Sequence, residues 1–375
     1  MRHTVARVDL DALRGNARAI RQLLEDGALA AGRPAPRIIG VVKANAYGHG
    51  AAAVALALEA EGVATLACAD VDEGVALRDA GVRVPILVFG ALGVSDLDGI
   101  FSHDLTPTIS SPWAGRALAE AAADRRTVLG CHVKIDTGMN RLGLRHDNLR
   151  RTLPAILAEP SLRVDALYTH FACADDPEDD HFALQQRHFA DARETAAALG
   201  LRTTHVHAAN SAALLRDERV WFDAVRPGLL LYGIVPPPLM TTMPLVPALS
   251  LHSRVVAVKG VRDGEGVGYA QAYRADGPRT LAVVPAGYAD GIDWRLGNRG
   301  VVLVGGRRAP IVGRVSMDMI SIDVTGLDVS PGDEVVLLGR QGEERLDALE
   351  VAATIGAIPW ELLCRLGARI QREYR

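Results

Sequence analysis

Apolar and polar residues follow two rhythms along this chain. From Asp11 to Leu24 apolar residues recur at helical spacing, with Leu13, Ala17, Ile20 and Leu24 on one stripe, and this predicts a helix capped by Asp9 or Asp11. A Gly/Pro/Arg-rich break at 32–37 then gives way to a short apolar run, Ile38–Val42. It is too short for a helix and bounded by turn residues, so it predicts a buried strand. Further strands are predicted at Thr65–Ala69, Pro85–Phe89, Leu105–Ile109, Leu129–Ile135, Val164–Thr169, Thr204–Val206 and Asp223–Arg226. Helical periodicity fills the gaps, at Ala51–Glu61, Val71–Ala80, Ser111–Ala123, Leu149–Leu157 and His181–Ala198. Eight largely apolar strands alternating with helices predict an α/β fold, a (β/α)8 TIM-type barrel over residues 1–240. A doubly wound open sheet is the alternative, and the strand count favours the barrel.

The rhythm changes at PPPLMTTMPLVP, which begins at Pro236 and reads as a linker. Beyond it strands dominate: Leu251–Val261, Leu281–Val284, Val301–Val304, Pro310–Val315, Ile320–Val324 and Glu334–Leu338, with one helix at Ala348–Ile355. Residues 241–375 are therefore expected to form a mainly β domain.

Composition narrows the class without naming the chemistry. The chain has 375 residues, 49% apolar and 23% charged, as expected of a globular protein. A net charge of -4 gives no electrostatic case for nucleic acid or an anionic membrane. No run is long enough to span a bilayer, and Met1–Leu10 lacks the apolar core of a signal peptide, so a cytoplasmic location is expected. Four widely spaced cysteines, Cys68, Cys131, Cys173 and Cys364, fit reduced thiols better than disulfides or zinc ligands.

In a barrel the chemistry sits at the C-terminal ends of the strands. Polar residues collect there: Lys43 after the first strand, Lys134 and Asp136 at the fifth, His170 at the sixth, Asn210 and Ser211 after the seventh, Arg226 at the eighth. A lysine leaving an apolar strand is open to desolvation, which lowers its pKa and suits Schiff-base chemistry. Position alone leaves a plain surface lysine as an equal reading. There is no P-loop and no GxGxxG; Tyr47-Gly48, Asn210-Ser211 and Gly228 are the places where backbone N–H groups and a hydroxyl would meet a phosphate. His205 and His207 share a strand face, and hydrogen-bonded core histidines are the better reading than a metal site.

The residues then fall into a known pattern. VVKANAYGHG at Val41–Gly50, KIDTGMNRLG at Lys134–Gly143, YTHFACAD at Tyr168–Asp175, HAANSAA at His207–Ala213, RPGLLLYG at Arg226–Gly233, GVGYA at Gly266–Ala270, PAGYADG at Pro285–Gly291 and GRVSMDM at Gly313–Met319 occur in order. Together they resemble the alanine racemases, over almost the whole length. The resemblance implies a pyridoxal 5′-phosphate enzyme with a barrel, a β domain and a homodimer whose active sites are composite. It interconverts L- and D-alanine by two bases and supplies D-alanine for peptidoglycan.

On that resemblance Lys43 is the Schiff-base lysine and one base, and Tyr269, from the partner subunit, is the other. Arg226 pairs with the pyridine nitrogen and His170 supports it; Tyr47, Asn210, Ser211 and Gly228 surround the phosphate. Arg141 lies near the phenolic oxygen and the substrate, and Lys134 matches a lysine that is often carbamylated to position that arginine. Met317 and Asp318 meet the substrate carboxylate, and Tyr288 lines a narrow entrance. Two positions depart from the pattern: Ala368 stands where some relatives bind phosphate through a tyrosine, and Ser316 where some have cysteine. A racemase of serine or of several small amino acids is the second reading, because a methylene or hydroxyl discriminates weakly. A non-catalytic pyridoxal phosphate carrier is the third, disfavoured by the C-terminal half.

Overall fold

The computed structural model describes residues 3–90, 97–203 and 205–375. Met1, Arg2 and Thr204, the first residue of the predicted seventh strand, lie outside the described residues. The chain divides into two compact units: Ala12–Ala46 with Ala51–Val246, and Met1–Asp11 with Tyr47–Gly50 and Pro247–Arg375.

The first unit is a closed barrel of eight parallel strands: β1 (Arg37–Val41), β2 (Thr65–Cys68), β3 (Ile86–Val88), β4 (Leu105–Ile109), β5 (Leu129–Asp136), β6 (Leu162–Tyr168), β7 (His205–Asn210) and β8 (Ala224–Arg226). Each pairs with the next, and β8 closes onto β1 with Ala224 opposite Arg37. Seven largely coincide with the apolar runs read from the sequence, because a strand covered on both faces is mostly apolar; the seventh, expected at Thr204–Val206, forms as His205–Asn210 and runs past its expected end because its two histidines and Asn210 hid it among polar residues.

The helices match the helical periodicities, with two additions, Leu97–Ser102 and Ser211–Arg216, each a short six-residue turn of helix. The first helix runs from Leu10 to Ala30, further than its apolar stripe suggested. It runs through Gly27, where the Trp221 ring fills the space a side chain would take; a Cβ there would lie 2.7 Å from the ring.

The second unit is built on a ten-stranded sheet. Val5–Val8 pairs antiparallel with Leu249–Arg254 and parallel with Gln371–Tyr374. The run expected as one strand over Leu251–Val261 is two, Leu249–Arg254 and Ala257–Val261. The break at Val255 separates different partners: the first pairs with Glu334–Gln341, the second with Arg279–Val284. The late helix forms at Ala348–Ile355 and is followed by a second at Pro359–Cys364. Cys68 and Cys131 are buried, Cys364 is exposed, and none of the four cysteines is in a disulfide. No helix among the described residues is long and apolar enough to cross a membrane.

Candidate active site

Lys43 follows β1 and opens an unusual turn: Ala44, Asn45, Ala46 and Tyr47 all have φ between 52° and 53°. Left-handed backbone costs an L-residue about 1–2 kcal/mol, so this turn needs support from outside itself. Glu73 supplies it. Its two carboxylate oxygens accept from the backbone N–H of Ala44 at 2.7 Å and of Ala69 at 2.8 Å, tying the ends of β1 and β2 together. The Asn45 carboxamide oxygen accepts from Ala51 N at 2.8 Å, and the Tyr232 hydroxyl donates to Val41 O at 2.8 Å. The half-buried Lys43 thus leaves a braced strand end.

Arg226 ends β8 and is buried. Its Nη2 donates to the carbonyls of Thr169 and Ala208, both at 2.8 Å, and faces His170 Nδ1 at 3.3 Å. Its Nη1 donates to His207 Nδ1 at 2.8 Å. An arginine has only donors, so both histidines must present an unprotonated Nδ1. His207 then donates from Nε2 to His132 Nδ1 at 3.1 Å. Tyr168 stacks on His207 at 4.6 Å between centroids. Burial pushes the Arg226 guanidinium down to about 10, still charged at neutral pH, and holds His170 and His207 well below the usual imidazole value.

Lys134 is buried on β5, with Nζ 5.9 Å from the centre of the Tyr168 ring. Burial first, then the charges of Arg141 and Arg226, push its ammonium down to about 8. The loop bearing His170 is held by Gln185, whose amide donates to Thr137 Oγ1 and His170 O at 3.1 Å each and whose oxygen accepts from Ala172 N at 2.8 Å. After β7, Asn210 spends its side-chain oxygen capping the following helix, accepting from Ala213 N at 2.9 Å. Ser211 Oγ accepts from Gly228 N at 3.0 Å and Leu230 N at 3.4 Å, so two backbone donors and a hydroxyl converge at one point.

The barrel unit therefore brings Lys43, Lys134, His170, Asn210, Ser211, Arg226 and Gly228 to one end of its strands, with the exposed Arg141 in the loop after β5. This end gathers positive charge beside neutral imidazoles and a Ser211 hydroxyl whose own proton is left to donate, which suits an anionic ligand carrying a phosphate or carboxylate. Sequence reasoning missed Glu73 and Gln185. Gln185 had a signal, as a polar residue on the buried stripe of Phe182, Phe189, Ala192 and Ala196; Glu73 had none.

The other candidates lie in the second unit. There the Tyr47–Gly50 segment packs on the helix Pro359–Cys364 and the last strand: a Cβ on Gly48 would lie 2.0 Å from Leu363 O, and Arg372 Nε donates to Gly48 O at 3.1 Å. Burial raises the Tyr47 phenol above its ordinary value. The segments bearing Tyr288 and Met317 are joined through their backbones, Tyr288 N donating to Ser316 O at 2.9 Å and Ala289 N to Met317 O at 3.0 Å. Asp318 accepts from Arg369 at 2.5 Å. Tyr269 stands 72% exposed on a turn whose neighbours Gly268 and Ala270 have positive φ. Ala368 offers no hydroxyl.

The family model "Alanine racemase, N-terminal domain" matches residues 8–236, and "Alanine racemase, C-terminal domain" matches residues 248–374. The curated alanine racemase of Sorangium cellulosum is 40% identical over 384 residues, with both chains covered completely. That of Carboxydothermus hydrogenoformans is 40% identical over 381 residues, again with full coverage of both. A crystal structure of alanine racemase from Bacillus anthracis with bound L-Ala-P superposes with a TM-score of 0.92 at 36% identity, covering 100% of this chain and 95% of that one. Two family models in the right order, and relatives aligned from end to end, establish that this chain belongs to the alanine racemase family.

Proposed function

We propose that the protein interconverts L- and D-alanine with pyridoxal 5′-phosphate held at the C-terminal end of the barrel. The observation that carries this reading is Arg226: a buried, charged guanidinium at that end, fixed by two carbonyls and two neutral histidines, with its Nε not used by these contacts. Such a group offers a donor to an unprotonated ring nitrogen and cannot hand that nitrogen a proton. The donor set fits the cofactor. Lys43 would hold its aldehyde carbon, Arg226 its ring nitrogen, and Ser211, Gly228 and, by family pattern, Tyr47 and Asn210 its phosphate. When bound, the cofactor delocalises the negative charge left at the substrate Cα and makes that proton removable.

The remaining work belongs to the side chains. Lys43 Nζ moves the Cα proton on one face and Tyr269 Oη on the other. Tyr269 is exposed on its own subunit, and with Tyr288, Met317 and Met319 it forms an exposed apolar set suited to meeting a second copy of the chain. A homodimer with composite sites follows, in which Met317 and Asp318 meet the substrate carboxylate and Tyr288 narrows the entrance. Lys134, its amine freed by burial, takes up CO₂ with loss of one proton, and the resulting carbamate holds Arg141 near the cofactor's phenolic oxygen. The same reading has D-alanine passed to peptidoglycan synthesis.

The test is proton NMR of the pyridoxal phosphate-loaded protein in D₂O with L-alanine, and with L-serine in parallel, followed by chiral analysis. Loss of the Cα–H signal with D-alanine appearing faster than D-serine is expected. No exchange with alanine overturns the reading, and faster exchange with serine moves the substrate.

A further inference from the structure

The N-terminal ends of the barrel strands, opposite Lys43 and Arg226, surround a cavity of about 480 Å³. This end of a barrel ordinarily serves stability, and an apolar plug would serve it well. Here the wall carries four arginines, Arg37, Arg78, Arg83 and Arg163, against two aspartates, Asp104 and Asp165, a balance of +2 with the histidines neutral.

The four arginines are not equivalent. Arg163 is neutralised by a two-pronged contact with Asp165, at 2.6 and 3.0 Å. Arg78 is locked in place by four backbone carbonyls, His103 at 2.9 Å, Val82 at 2.9 Å, Val84 at 2.8 Å and Asp104 at 3.1 Å. Those acceptors carry no charge, so Arg78 is a fixed, uncompensated cation with one N–H to spare. The side chains of Arg37 and Arg83 are exposed and pair with no carboxylate among the described residues.

His132 and His207 line the same cavity, and both belong to the column that starts at Arg226. That column has a polarity. Arg226 donates to His207, which donates to His132 Nδ1, so the His132 proton must sit on Nε2, the far end of the chain. The cavity thus combines one immobile cation, two guanidinium forks without a carboxylate partner, the single remaining carboxylate of Asp104, and a neutral N–H donor oriented by the catalytic end of the barrel.

We propose that this cavity binds a compact tetrahedral dianion of the phosphate class. Arg37 and Arg83 grip its oxygens, Arg78 supplies the fixed charge, and His132 forms the inner wall. Guanidinium forks match such an anion in pairs of parallel hydrogen bonds, which are the strong ones. The test titrates inorganic phosphate, at constant ionic strength, into pyridoxal phosphate-loaded protein with nitrogen-15-labelled histidines. Calorimetry is expected to give saturable one-to-one binding, and the His132 ring resonances to move with it. The double variant Arg37→Gln, Arg83→Gln is expected to bind about tenfold more weakly or worse, with its melting temperature unchanged because both side chains are exposed. Arg83→Gln alone shifts affinity in the same direction. No saturable binding at millimolar phosphate, or equal affinity in the variants, overturns the proposal. The readout is binding, so the outcome is independent of whether the protein racemises alanine.

Discussion

Arg226 shows how one residue can be fixed from several sides. Its guanidinium meets one carbonyl and one imidazole from each of two neighbouring strands, Thr169 and His170 just after β6 and Ala208 and His207 on β7. A lysine keeps the charge but cannot reach these partners at once, so Arg226→Lys leaves buried acceptors unpaired. The expected result is a kcat/KM for racemisation reduced by about a hundredfold, the scale of a small misplacement near the reacting atoms, and a lower melting temperature. Wild-type kinetics in this variant would remove Arg226 from the site. Lys43, Lys134, His170 and Arg226 were legible in the sequence because a polar residue closing an apolar strand contradicts its surroundings. Glu73 was not, since nothing in VDEGV distinguishes a glutamate that braces two strand ends from one on a solvated helix face.

Among elements, the turn after β1 is the least legible and among the most consequential. Alanine and tyrosine carry no sequence mark of left-handed backbone, so Ala44–Tyr47 could be seen only in the folded chain. The glycines that follow have a plainer logic. Gly48 has φ +81 and no room for a Cβ against Leu363 O, whereas Gly32 has φ +63 with nothing within 4 Å. Gly32→Ala should therefore cost only the backbone term, about 1 kcal/mol. Gly48→Ala adds a collision with backbone and should cost at least about 2 kcal/mol more. Denaturant midpoints of the two variants check this, and equal losses would mean that the contact at Gly48 yields freely. The barrel strands were legible because apolar runs between helices admit few other readings. The strand Val5–Val8 was not, because its alternation is short and both its partners lie far along the chain.

For the whole molecule, the proposed composite site makes a complementation prediction. Neither Lys43→Ala nor Tyr269→Phe should be active alone. Mixed in equal amounts and allowed to exchange subunits, they should recover up to about a quarter of wild-type activity, since half the dimers are mixed and each has one intact site. No recovery despite demonstrated exchange would place both bases in one subunit. The buried histidines make a second, global prediction. Burial pushes His132 down to about 4 and holds His170 and His207 well below the usual value. Below pH about 6.5 the unfolded chain takes up protons that the folded barrel refuses, so stability falls as pH falls, by about 1.4 kcal/mol per pH unit for each ring. Melting temperatures between pH 7.5 and 5 measure this, and a flat profile would contradict it.

The pairing of Val5–Val8 with Leu249–Arg254 and Gln371–Tyr374 also sets an order of events during synthesis. The barrel's residues all emerge from the ribosome between this strand and its partners, so the barrel can close while the strand still waits. For that interval the nascent chain carries an unpaired edge ahead of the barrel, open to chaperones and to stray pairing with other nascent chains. One short strand thereby makes completion of the second unit depend on residues translated before the barrel and on residues translated after it.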